Sequence, residues 1–83
     1  MAMNASVVVY YHNVQKEALR ELSGGNRDRL ILLIQKWGAR LRNYAQVYDY
    51  QVTKLDIILR VRQWESLADQ RARNYSRTLT LPS

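Results

Sequence analysis

Apolar side chains recur in the first part of the chain at Val7, Tyr11, Val14, Ala18 and Leu22, spaced four, three, four and four apart. That spacing is the stripe of an amphipathic helix. Lys16, Glu17, Arg20 and Glu21 fill the opposite face. The run Val7-Val8-Val9-Tyr10-Tyr11 is β-branched and aromatic, and locally favours a strand. The helical period decides for residues 13–22; for 6–12 helix is the reading and a strand the alternative.

The pattern breaks at Ser23-Gly24-Gly25-Asn26. Paired glycines supply the left-handed geometry that ends a helix, Asn26 can cap the next one, and Asp28 falls in its first turn, where a negative charge complements the helix dipole. Leu30, Ile34, Trp37, Leu41, Tyr44 and Tyr48 then alternate four and three apart, and Val52, Leu55 and Leu59 carry the stripe on. This approaches the seam of a helical hairpin or coiled coil. It predicts one long helix from 27 to about 62, roughly 54 Å at the helical rise. Gly38 lies inside it, at a cost of about 1 kcal/mol against alanine, and the close approach of a neighbouring helix would justify it. Residues 63–75 either continue the helix or turn back as a short third one, with Trp64, Leu67 and Ala68 as apolar edge. Residues 76–83 read as an extended basic tail. The expected fold is therefore all-α: a single helical domain over 1–83, built as a hairpin of a short first and a long second helix.

A short helix folded on one about twice its length leaves apolar surface unpaired. Residues 30–34 are five consecutive aliphatics, which cover more than one helix face. Burying each fully contributes roughly 1.5–3 kcal/mol, and a two-helix hairpin cannot do so for all five. Two hairpins joined as a four-helix bundle can, and two-fold dimers are the commonest closed assembly. A homodimer is expected, with a monomeric three-helix bundle as the alternative.

Charge adds a direction for function. Thirteen Lys and Arg stand against seven Asp and Glu, a formal charge of +6. Ten of the thirteen are Arg, the planar fork suited to phosphate and carboxylate. Such a balance speaks about partners: nucleic acid, an anionic membrane or an acidic protein. On a wheel of about 100° per residue with Trp37 at zero, Arg29, Lys36, Arg40 and Lys54 fall between about −60° and −100°. Asn43 lies at the edge of this basic stripe, at about −120°. Asp28, Asp49 and Asp56 fall between about +100° and +180°. Segregation of this kind forgoes i,i+4 ion pairs and predicts a cationic track about 37 Å long, along which neutralised phosphates release counterions. Arg71, Arg73 and Arg77 follow the last carboxylate, Asp69, as a basic end that either makes contacts or merely solubilises. Every aromatic is Tyr or Trp, so each carries a polar handle suited to wet interfaces. Tyr50 lies near the basic side, where it could stack on a ribose or base.

The layout resembles the small RNA-silencing suppressors of nodaviruses. The likeness rests on a first helix, a short loop, the Asn-Arg-Asp-Arg-Leu opening at 26–30, a long helix with Lys36, Arg40 and Lys54 outward, and a short basic end. It covers most of the chain. The long helix here lacks a proline stop, and the aromatic content is high. The resemblance implies an antiparallel four-helix dimer lying along double-stranded RNA, in the cytoplasm of a virus-infected cell. A straight helix across a duplex reaches phosphates and 2′-hydroxyls without reading bases, which is sequence-independent recognition.

Catalysis is not expected. His12 is the one histidine, no Gly-rich elbow or phosphate loop surrounds a serine, and Asp49 and Asp56 share a helix face without a pocket. No cysteine is present, so thiol nucleophiles, disulfides and thiolate metal sites are ruled out. No cofactor or metal is expected. No apolar run reaches membrane-spanning length, and the start lacks a basic region ahead of an apolar one, so a soluble cytoplasmic protein is the expectation. The sequence leaves one other class open: a helical adaptor or small chaperone for an acidic protein partner.

Overall fold

The computed structural model describes residues 5–80. Three helices occupy most of them: α1 over Ala5–Ser23, α2 over Arg27–Asn43 and α3 over Tyr50–Thr80. No strand occurs among the described residues. Residues 6–12 are helical in spite of their β-branched run. Tyr11, Val14, Ala18 and Leu19 are all buried, and that packing outweighs local propensity.

The α1–α2 turn is built as its residues dictate. Gly24 and Gly25 take positive φ of 61° and 81°, where a Cβ would be strained. Ser23 Oγ donates to the Arg20 carbonyl at 2.7 Å, and Asn26 Oδ1 accepts from the Arg29 N–H at 3.0 Å.

The long second helix does not form. It stops at Asn43, and residues 44–49 are a loop. The Tyr44 and Ala45 N–H groups bond back to the Leu41 and Arg42 carbonyls. Asp49 Oδ1 then accepts from the N–H of Gln51 and of Val52, at 3.0 and 3.3 Å, a side-chain cap on α3. The Thr53 hydroxyl accepts from the Tyr48 N–H at 3.0 Å and donates to the Asp49 carbonyl at 3.0 Å. The longest helix is therefore the third. With no glycine after Gly38 and no proline before Pro82, nothing interrupts α3. It also takes in residues 76–80, expected as an extended tail; 81–83 lie outside the described residues.

Contacts fix the topology. Tyr11 Oη donates to the Leu41 carbonyl at 2.8 Å, and Gln15 lies beside Gly38, so α1 and α2 are antiparallel. Tyr10 meets Tyr50 edge-on at 5.7 Å and Glu21 meets Lys54, so α1 and α3 run the same way. The core between the three helices holds Tyr11, Val14, Ala18, Leu19, Leu33, Trp37, Leu41, Ile57, Ile58, Val61 and Trp64. Leu41 is fully buried within the chain, and not in the seam between copies that a hairpin dimer would require. α3 is about 46 Å long by its residue count. The radius of gyration is 15.8 Å, against about 12 Å for a compact chain of this length. The difference is the end of α3, exposed at every position from 69 to 78.

Candidate nucleic-acid interface

The single cationic track expected along one helix is divided. Arg29, Lys36, Arg40 and Asn43 lie on α2, and Lys54 lies on α3 beyond the loop. Arg29 is 2.6 Å from Glu65, and Lys54 is 2.6 Å from Glu21. The hydrogen bond with Glu21, and the charges of Glu21 and Glu17, raise the Lys54 pKa above its ordinary 10.5 although desolvation works against it. Both cations thus meet carboxylates on other helices. Lys36 and Arg40 have no carboxylate within ion-pair distance among the described residues, and they rest on aromatic faces. The Lys36 ammonium is 5.1 Å from the Trp37 ring centre, and the Arg40 guanidinium is 4.3 Å from that of Trp64. Such contacts contribute about 0.5–2 kcal/mol each. Asn43 is exposed at the end of α2. Tyr50 is half-buried against Tyr10 and hydrogen-bonds to Glu17, so its ring is committed inside the fold and is not offered to a base.

A second stripe replaces the first. On a wheel for α3 with Ile57 at zero, Thr53, Val61 and Trp64 fall within about 40° of it. Arg62, Ser66, Gln70, Arg73 and Arg77 fall on the opposite side, between about 140° and 220°. All five are exposed, and Arg62 to Arg77 spans about 22 Å at the helical rise. Arg62 and Arg73 have no carboxylate within ion-pair distance among the described residues. Asp69 flanks the stripe four residues before Arg73 without pairing to it. Arg71 lies on the other side of the helix, one turn before the exposed Tyr75. Three of the expected residues, Arg71, Arg73 and Arg77, are thus brought together on the projecting end of α3. Arg62 was not among those expected. Its signal was the four, four, three, four spacing from 62 to 77, hidden as long as the wheel ran unbroken through residues 44–49.

Comparison with protein-family models, characterised proteins and solved structures finds no match to this chain.

The N-terminal half of the same α3 face is apolar. Val52, Leu55 and Leu59 fall in the same angular window and are 51%, 57% and 62% exposed. On α2, Leu33 is buried while Ile31, Leu32 and Ile34 remain largely exposed, so one chain does not bury its aliphatic run. His12 is exposed, Asp49 caps α3, and Asp56 pairs with Arg60 at 2.9 Å. The Tyr11 pKa is raised above its ordinary 10.0, chiefly by burial and then by Asp56, with Arg60 opposing. No group of three or more His, Cys, Asp or Glu suited to a metal ion occurs among the described residues. No described helix is long and apolar enough to cross a membrane.

Proposed function

We propose that this is a non-catalytic protein that binds nucleic acid without regard to sequence, through the outer face of the C-terminal half of α3. The observation that carries the reading is the Arg62, Arg73 and Arg77 stripe on a helix that projects from the core. A rigid row of guanidinium groups engages phosphates and positions the protein without reading bases. Lys36 and Arg40 add positive potential on α2; Arg29 and Lys54, held by carboxylates, are secondary. Arg71 and Tyr75 on the other side of the arm are placed to grip a strand that passes around it. Double-stranded RNA is the favoured target and suppression of RNA silencing the role, as the resemblance to the nodavirus suppressors implies.

The protein acts as a homodimer in this proposal. Val52, Leu55 and Leu59 form the seam, because they are the most exposed apolar residues on the face that carries the arginines. A two-fold axis there projects the two cationic arms in opposite directions, a longer footprint than one chain offers.

Retention of short RNA and DNA duplexes in a gel at two salt concentrations tests the reading. Three phosphate contacts per chain imply a loss of roughly 40-fold in affinity between about 50 and 200 mM salt. Arg73→Ala should lower the salt slope by about one contact with helicity unchanged. Binding that is absent at low salt, or equal in Arg62→Ala/Arg73→Ala and parent, overturns the proposal.

A further inference from the structure

On the side of the molecule away from α3, α1 and α2 enclose a groove of about 360 Å³. Tyr10, Glu21, Arg29 and Trp37, which contact α3, are absent from its lining, and the first three fall on the other side of their helices by the wheel. The groove therefore sits where a further helix would complete a four-helix bundle. Its floor is apolar: Leu19 and Gly38 are buried, Leu30 is partly covered and Ile34 is exposed. Lys16 and Arg20 stand along the α1 edge and Arg42 along the α2 edge. No carboxylate lines the groove, and none lies within ion-pair distance of these three cations among the described residues. Gln15 also lines it, with its Oε1 buried and without a hydrogen-bond partner.

We infer that this groove is a docking site for an acidic amphipathic helix of a partner protein. The two cationic edges call for acidic side chains on both flanks of the apolar stripe, which is electrostatic complementarity of the kind that selects partners. From Leu30 to Arg42 the groove follows α2 for about 18 Å, some three turns of a docked helix. An apolar face at i, i+3, i+4 and i+7 spacing lies on such a floor. Gly38 carries no side chain, and a helix backbone can approach closely there. A second copy is the wrong occupant, because a chain of net charge +6 meets like charge on both edges.

The test is titration of the ¹⁵N-labelled full chain with a synthetic peptide of about 14 residues, leucines on one helical face and glutamates on both flanks. Shifts are expected at the amides of Gln15, Leu19, Ile34 and Gly38. Arg42→Glu, at an exposed position, should weaken binding tenfold or more. Gly38→Leu should do the same, with its circular dichroism confirming that the fold persists. A scrambled peptide of the same composition should bind at least tenfold more weakly. The inference is overturned if millimolar peptide shifts no groove amide, or if the scrambled peptide binds equally. It is also overturned if duplex RNA perturbs these amides more than the peptide does, or if sedimentation shows self-association that Arg42→Glu strengthens. The peptide results do not bear on the α3 arginines, whose own test is the duplex assay.

Discussion

Replacing Gly38 by alanine should stabilise the protein. Gly38 is buried in the interior of α2, where glycine is about 1 kcal/mol less favourable than alanine because it loses more backbone freedom on folding. Its φ is not positive, so no left-handed conformation demands glycine. A Cβ built there would meet Gln15 Nε2 and Ile34 Cγ2, each at 3.9 Å. That is ordinary van der Waals contact, with no steric penalty to set against the gain. The close helix approach that the sequence suggested for this position is absent within the chain, because Gly38 faces the α1–α2 groove and not a tightly packed helix. A net gain of about 0.5–1 kcal/mol follows. For a domain of this size each kcal/mol corresponds to about 4–8 °C in Tm. Circular dichroism at 222 nm during heating, at two protein concentrations, measures it. A Tm that falls refutes the reasoning, since it requires a group closer to the Gly38 Cα than any in this chain. A fall confined to the higher concentration would place that group on another copy.

Leu41→Asp should unfold the chain outright, because it puts an unpaired charge in the core; a folded monomer by circular dichroism would contradict the burial of Leu41. Leu59→Glu should leave helicity intact and convert the proposed dimer to monomer, as read by sedimentation equilibrium; an unchanged mass removes α3 from the seam. Asp49→Ala deletes the cap of α3 and should destabilise by about 0.5–2 kcal/mol in urea; no loss would mean that residues 44–49 are not a true helix break. Stability should also decline in alkali. The raised pKa of Tyr11 marks a preference for its protonated form in the folded state, a contribution complete below pH 10.0 and lost as pH rises through the raised value. Lys54 acts in the same sense above 10.5. The urea midpoint of the parent should therefore fall above about pH 10, and less steeply in Tyr11→Phe; parallel curves would exclude Tyr11 as a cause.

The parts of the fold readable from sequence are those set by local chemistry. Gly24, Gly25 and Asn26 fix the first turn within a few residues, and the stripe from Tyr11 to Leu22 fixes α1. The second boundary was lost because Tyr44, Tyr48 and Val52 happen to continue the heptad spacing across a loop. The signals for a stop were there, in Asp49 as a cap and in the β-branched and aromatic residues around it, but periodicity spoke louder. The division of the cationic track was illegible for a different reason. Glu65 is 36 positions from Arg29, and Glu21 is likewise remote from Lys54 in sequence. A wheel drawn on one helix cannot show which carboxylates another helix will bring to it. Arg71, Arg73 and Arg77 remained identifiable because no acid follows Asp69 and all three are exposed.

Starting a helix is its unfavourable step, by a factor of about 10⁻³, whereas lengthening it is close to neutral. In α3 the buried stretch through Trp64 and Ala68 supplies the start, so the residues past it grow by propagation from an anchored stem. The intervals between Arg73, Arg77 and their neighbours are set before any polyanion arrives. In the proposed binding mode, capture of a duplex would be spared the roughly 1–2 kcal/mol per residue that an unstructured basic tail loses on becoming ordered.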